Sequence, residues 1–190
     1  GKILLACIPA AVAGILFDSV FERLFYHGGT VASALIIFGV GFIVIERWNK
    51  GRSPKMTSVD QLTIPAVLLI GVFQLIAAVF PGTSRSGATI LGALLIGVSR
   101  PAASEFTFYL AVPVMLGASL LQVLHHGLSF SSQELTVLAA GMVTAFLVSL
   151  AVIRFLMDYV KKHDFQIFGW YRILMGAGVL GLNLLGIIQI

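Results

Sequence analysis

The chain has 190 residues, of which 58% are hydrophobic and only 11% are charged, and its mean hydropathy is +1.02. Soluble domains carry about a quarter charged residues, and a domain of this size still exposes about a third of its unfolded surface. The composition therefore excludes a soluble globular fold and predicts a protein surrounded by lipid. The net charge of +4 comes from basic residues in short loops between apolar runs, where such residues set membrane topology. We expect no nucleic-acid partner.

Seven uncharged stretches follow one another along the chain, and a helix needs about 20 apolar residues to cross a bilayer. Five of them can cross if flanking residues are included: residues 3–17, 30–45, 106–133, 135–153 and 173–190, of which the first two are short. The other two, residues 61–84 and 86–99, are separated only by Arg85. This pattern predicts an all-α integral membrane protein, built as a multi-span helical bundle.

The segment around Arg85 cannot continue a regular helix. Residues 81–87 read Pro-Gly-Thr-Ser-Arg-Ser-Gly, which combines helix breakers with hydroxyl side chains. We therefore expect two half-helices that meet at this break. Non-helical backbone at membrane depth persists only where protein or water satisfies its polar groups, so the break should line a cavity.

The basic loops indicate how the chain crosses the membrane. Four basic residues lie within residues 47–60, and Lys161 and Lys162 follow the stretch 135–153. Both loops should be cytoplasmic. They fall on one side only if residues 62–98 form a re-entrant hairpin, because a single continuous crossing there would place Lys161 and Lys162 outside.

Arg85 is the residue that most needs an explanation. An arginine at a helix centre in the membrane costs at least about 2.5 kcal/mol, so it requires a compensating partner or a function. A guanidinium, hydroxyls, exposed glycine backbone and a helix N-terminus together favour a phosphate. The predicted anion site contains Gly82, Thr83, Ser84, Arg85, Ser86, Gly87 and Thr89.

Two simpler interpretations stay open. Arg85 could pair with a structural acid or with backbone carbonyls at a helix break. Gln74, seven residues before Pro81, either faces the cavity as a substrate-binding residue or bonds to a neighbouring helix.

These motifs resemble a known family. Residues 80–89 read Phe-Pro-Gly-Thr-Ser-Arg-Ser-Gly-Ala-Thr, and Gly-Val-Ser-Arg at 97–100, Ala-Ala-Ser-Glu-Phe at 102–106 and Leu-Ala-Val-Pro at 110–113 follow. In this order they resemble the undecaprenyl-diphosphate phosphatases of bacterial membranes, also known as the bacitracin-resistance proteins. The resemblance covers most of the chain.

The resemblance implies a multi-pass hydrolase of the bacterial plasma membrane. Its substrate would be the polyprenyl lipid undecaprenyl diphosphate, and its product the undecaprenyl phosphate that carries peptidoglycan precursors. Arg85 would clamp the diphosphate, Ser84 and Thr89 would hydrogen-bond in the site, and Gly82 and Gly87 would form the turn. A divalent cation, Mg or Ca, is also implied, although its ligands are not found near Arg85. The resemblance leaves a homodimer open.

The resemblance also implies inverted repeats, and the odd number of crossings after the hairpin agrees with this arrangement. We assign residues 1–60 to the remnant of a first repeat, with two membrane spans and a basic cytoplasmic loop. Residues 61–190 form the second repeat, with the hairpin 62–98 followed by spans at about 104–124, 135–157 and 171–190.

One family motif is missing from these residues. It is a glutamate-rich helix followed by a Pro-x-Ser-Ser-Thr-Gly-His turn, which bears the proposed nucleophilic serine, and we expect it before Gly1. These 190 residues alone should therefore bind the lipid weakly and not hydrolyse it. The alternatives are a polyprenyl-phosphate transporter or flippase that uses the same anion site, and a purely structural membrane subunit.

Overall fold

The computed structural model describes residues 1–25, 28–127 and 131–186, with the backbone alone for residues 15, 17–25, 125 and 126. Within these ranges the chain forms seven α-helices. They are α1 Lys2–Phe25, α2 Gly28–Asn49, α3 Ile64–Val79, α4 Arg85–Leu95, α5 Arg100–His126, α6 Ser132–Lys162 and α7 Gln166–Leu184. No strand occurs in the described ranges, where the only bridge joins Met56 and Val98.

Four of these helices are long and apolar enough to cross a membrane: α2, α5 as far as Leu124, α6 and α7. The prediction of an all-α, multi-span membrane protein is therefore confirmed. In α1 the described apolar part is Lys2–Gly14, so the described residues do not test whether this helix crosses the membrane. A crossing by α1 stays a prediction, and the end of the predicted last span, residues 187–190, lies outside the described residues.

The predicted helix–turn–helix is present. The helices α3 and α4 pack against each other, and residues 80–84 form the turn. The ring of Phe73 lies so close to Gly92 that a Cβ there would stand 2.5 Å from the ring, so only glycine allows this contact. The break begins one residue earlier than predicted, and α4 starts at Arg85.

Both ends of this hairpin lie at the same end of the bundle. The amide of Lys55 donates to the Gly97 carbonyl at 2.8 Å, and the Ser99 amide donates to the Met56 carbonyl at 2.8 Å. The loop after α2 is thus bonded to the residues that leave α4. This geometry agrees with a re-entrant hairpin, although its position in a membrane stays a prediction.

The helix α2 runs alongside the hairpin. Its C-terminal end contacts the end of α4, and its N-terminal half lies beside the turn. At the end of α2, the Asn49 side-chain amide donates to the Leu94 carbonyl at 3.1 Å. Near the start of α2, the Val31 carbonyl oxygen lies 2.6 Å from the position of a Cβ on Gly82, which has φ +89°. The turn therefore lies beside the N-terminal half of α2, far from the basic loop.

The helices α2 and α7 pack backbone to backbone in antiparallel directions. A Cβ on Gly169 would lie 2.7 Å from the Gly39 carbonyl oxygen, and one on Gly176 would lie 2.7 Å from that of Ala32. Small residues allow this close approach. Arg172, one turn after Gly169, therefore lies at the level of the middle of α2.

The hairpin is held between two apolar clusters. One contains Ala6 of α1, Val67 and Ile70 of α3, and Phe106 of α5. The other contains Phe42, Leu91, Leu94, Val160 and Phe165. Helices from residues 1–60 thus pack directly on helices from residues 61–190, and the division into two repeats stays a prediction.

Candidate functional site

Ser84 ends the turn with a strained backbone. It has φ 60° and ψ 117°, and it is the one non-glycine residue with positive φ in the described part of the chain. Its hydroxyl caps α4 by accepting a hydrogen bond from the Gly87 amide at 3.3 Å, and it lies 3.2 Å from the Ser86 hydroxyl. Such backbone strain costs about 1–3 kcal/mol and concentrates at functional sites. The strain presents Ser84 and Ser86 together at the N-terminus of α4.

A cavity of about 150 Å³ lies next to this N-terminus. Its polar side chains come from three helices, and apolar side chains complete its walls. The lining residues are Ser84, Ser86, Gly87, Ser104, Thr107 and Arg172, with Phe42, Ile90, Phe108, Leu156, Val160, Phe165 and Phe168. A small polar surface with a helix N-terminus, enclosed by aromatic rings, suits an anionic group attached to an apolar chain.

Arg172 is the cation of this cavity, and the sequence analysis missed it. Its Nη1 donates to the Thr83 carbonyl at 2.8 Å, and no carboxylate pairs with it among the described residues. The available signal was an arginine inside an apolar helix. The predicted last span, at about 171–190, places Arg172 at its edge, whereas α7 begins five residues before that span, at Gln166.

Arg85 lies outside the lining of the cavity. Its Nη1 is buried and has no hydrogen-bond partner in the described part of the chain, and no carboxylate there forms an ion pair with it. The described residues thus offer no support for a structural acid as its partner. A buried guanidinium N–H without a partner is unfavourable until an acceptor meets it, and phosphate oxygens are suitable acceptors.

The remaining predicted residues divide into two groups. Thr83 and Gln74 are buried, and the Thr83 hydroxyl and both amide atoms of Gln74 lack partners in the described part of the chain. Gln74 therefore forms no bond to a neighbouring helix there. The Thr89 hydroxyl is engaged inside the protein, 3.1 Å from the Arg85 carbonyl and 3.0 Å from the Thr107 hydroxyl.

The structure therefore brings Ser84, Ser86 and Gly87 to one cavity and leaves the other predicted residues outside its lining. Gly82 and Thr83 belong to the turn, Gln74 to α3, and Arg85 and Thr89 to α4. Ser104 and Thr107 were not predicted as site residues. Their spacing of three on α5 places both hydroxyls on one face.

The described residues do not form a metal site. No group of three or more His, Cys, Asp or Glu side chains that could hold a metal ion occurs among them. The buried carboxylate of Glu46, 2% exposed, already accepts hydrogen bonds from Arg100 Nε at 2.9 Å and from the Phe165 amide at 3.0 Å. The divalent cation implied by the resemblance has no fitting donor set here.

Comparison with known proteins identifies the family of this chain. The model of the Bacitracin resistance protein BacA family matches residues 1–178. The chain belongs to this family. It is 59% identical over 179 residues to Undecaprenyl-diphosphatase 1 of Clostridium acetobutylicum, covering 94% of this chain and 65% of the relative. It is also 59% identical to the Undecaprenyl-diphosphatase of Desulfitobacterium hafniense, and it covers 64% of that relative. It is 50% identical to the Undecaprenyl-diphosphatase of Enterococcus faecalis V583. The chain thus spans about 65% of the length of these relatives.

Proposed function

We propose that the protein is a membrane phosphatase that hydrolyses undecaprenyl diphosphate to undecaprenyl phosphate and inorganic phosphate. One observation carries this proposal. In this chain the hairpin turn places the strained Ser84, at the N-terminus of α4, beside a cavity that contains a cation. Both features suit the terminal phosphate of a lipid diphosphate. Similar members of the family are named for this activity.

The residues of this chain supply the electrostatic part of the reaction. Hydrolysis breaks the bond between the terminal phosphorus and the bridging oxygen while a new bond to the nucleophile forms, and negative charge is spread over the equatorial oxygens. Arg172, Arg85 and the amides at the start of α4 would neutralise that charge. The Ser84 hydroxyl contacts the Gly87 amide and the Ser86 hydroxyl, and neither can act as a general base. We therefore assign Ser84 to binding, with the nucleophile supplied elsewhere in the whole protein.

The location and the partners follow from the same proposal. The product is the lipid carrier used in peptidoglycan synthesis, so we infer a multi-pass protein of the bacterial plasma membrane. The proposal includes the divalent cation that the resemblance implies. The described residues offer no set of ligands for it, and no step above depends on it. A homodimer stays open.

A chimera tests the function. The matching part of the Clostridium acetobutylicum relative is replaced by residues 1–190 of this chain, and phosphate release from undecaprenyl diphosphate is measured in detergent. The chimera should release phosphate, and the 190 residues alone should not. Arg172→Ala should lower release at least about tenfold, a loss of about 1.4 kcal/mol in transition-state stabilisation. Arg154→Ala, at an exposed position on α6, is the matched control.

The outcomes separate the alternatives. A chimera that elutes as a folded protein and binds undecaprenyl diphosphate without releasing phosphate would refute the phosphatase proposal. Movement of the lipid across proteoliposomes without phosphate release would support a transporter. Release by the 190 residues alone that disappears in Ser84→Ala would make Ser84 the nucleophile.

A further inference from the structure

A second and larger cavity, of about 340 Å³, lies at the other end of the bundle. It is formed where the loop after α2 meets the connection between α4 and α5 and the end of α6. Its lining residues are Glu46, Trp48, Asn49, Arg52, Ser53, Pro54, Lys55, Leu94, Leu95, Ile96, Gly97, Val98, Ser99, Arg100, Pro101, Val160 and Lys161. This volume lies in the range of about 300–1,000 Å³ that is typical of small-molecule sites.

The charge of this cavity favours an anion. Four basic side chains line it against one carboxylate, that of Glu46. Arg100 is already bonded to Glu46, and Lys161 pairs with Asp158 at 3.3 Å. Arg52 and Lys55 have no carboxylate partner in the described part of the chain. The N-terminus of α5 at Arg100 and Pro101 adds the positive end of a 27-residue helix.

The position of the cavity favours an amphipathic ligand over a free ion. Three span-capable helices meet there, as α2 ends at Asn49, α5 begins at Arg100 and α6 ends at Lys162. Helix ends of this kind lie at the boundary between lipid and water. Trp48, 60% exposed, stacks with the Arg52 guanidinium at 4.4 Å from the ring centroid, and Leu95 is 48% exposed. Tryptophan is enriched at this boundary.

We propose that this cavity binds the phosphate headgroup of an anionic glycerophospholipid, with phosphatidylglycerol as the chemical type. The phosphodiester would lie between Arg52 and Lys55 near the start of α5, and an acyl chain would continue along Leu95. Basic pockets between membrane helices bind such headgroups. Val160 lines both cavities, but none of the basic residues of this site lines the cavity at the hairpin turn. The proposal does not depend on the proposed phosphatase activity.

Quenching of Trp48 fluorescence tests this site. The chain has two tryptophans, so Trp170→Phe leaves Trp48 as the only one. The protein is titrated in maltoside micelles with brominated phosphatidylglycerol or with brominated phosphatidylcholine. The anionic lipid should reach half-quenching at a mole fraction about thirtyfold lower, the equivalent of about 2 kcal/mol from two basic side chains.

A matched pair of double variants locates the effect. Arg52→Gln with Lys55→Gln should abolish the preference for the anionic lipid. Arg47→Gln with Lys50→Gln removes the same charge from exposed positions that do not line the cavity, and it should keep the preference. The single variants Arg52→Gln and Lys55→Gln should each lose part of it, which keeps the test available if a double variant does not fold.

Three results would overturn the proposal. Equal quenching by both lipids would show that no headgroup is recognised. An equal loss in both double variants would reduce the effect to general surface attraction. Complete relief of the quenching by millimolar inorganic phosphate would make the ligand a soluble phosphate.

Discussion

The close packing of α7 on α2 provides a sharp test of how Arg172 reaches the hairpin turn. The perturbation is Gly169→Ala, which adds one methyl group where α7 contacts the Gly39 backbone. That methyl carbon would lie 2.7 Å from the Gly39 carbonyl oxygen and 3.0 Å from Ile43 Cγ1. The backbone oxygen cannot rotate away as a side chain could, so the helices must separate.

The size of the separation follows from these distances. Ordinary contact begins at about 3.4 Å, so α7 must move by about 0.7 Å, the difference between 3.4 and 2.7 Å. A movement of that size along the Arg172–Thr83 hydrogen bond would stretch it from 2.8 Å to about 3.5 Å, beyond the normal range for a hydrogen bond. Overpacking of this kind costs about 1–3 kcal/mol.

Gly178→Ala is the matched control, because it lies on the same helix and a Cβ there would have nothing within 4 Å. Both variants gain the same helix propensity, about 1 kcal/mol, so the difference between them isolates the contact. Thermal unfolding in detergent should place Gly169→Ala at least about 2 °C below Gly178→Ala. The reasoning fails if Gly169→Ala unfolds at the same temperature or a higher one.

Three other predictions concern the turn, the basic end of the bundle and the topology. Arg85→Lys in the chimera should lower phosphate release at least about tenfold, because the planar fork is lost while the charge stays; unchanged turnover would make Arg85 a structural cation. Arg100→Ala leaves a buried carboxylate without its cation and should lower the free energy of unfolding by about 2 kcal/mol, whereas Arg100→Lys should lose less; equal unfolding temperatures would contradict this. In a variant without the native cysteine, Asp60→Cys and Leu95→Cys should react with an impermeant thiol reagent from the same side of the membrane, and labelling from opposite sides would exclude the re-entrant hairpin.

The hairpin could be predicted from the sequence because its causes are local. Proline and glycine next to hydroxyl residues disfavour a continuous helix whatever surrounds them, and the turn forms within one residue of the expected place. The all-α membrane class is equally accessible, since composition and the length of apolar stretches determine it. The helix boundaries were less accessible, since α5, α6 and α7 begin at Arg100, Ser132 and Gln166, before the uncharged stretches that start at residues 106, 135 and 173.

A cavity at the break was predicted, but the residues that other helices contribute to its lining could not be, because they meet the turn only through tertiary packing. Arg172 is 89 residues from Thr83, and the contact depends on glycines in α2 and α7 that allow the helices to touch. Glu46 and Arg100, 54 residues apart, are joined by the same folding of distant segments. Sequence spacing identifies residues on one helix face, but it does not identify which helix lies opposite.

The two arginines near the turn differ in how they are held. Arg172 reaches the turn from outside the hairpin and bonds to the Thr83 carbonyl, one residue before the strained Ser84, so its charge lies on the cavity side. Arg85 is the first residue of α4, lies outside the lining of the cavity, and keeps a buried N–H without a partner in the described part of the chain. Under the proposed function, a phosphate group at the N-terminus of α4 would meet the backbone amides of that helix together with these two guanidinium groups. Separate donors of this kind would stabilise charge that is spread over several oxygens, because each oxygen then has its own donor.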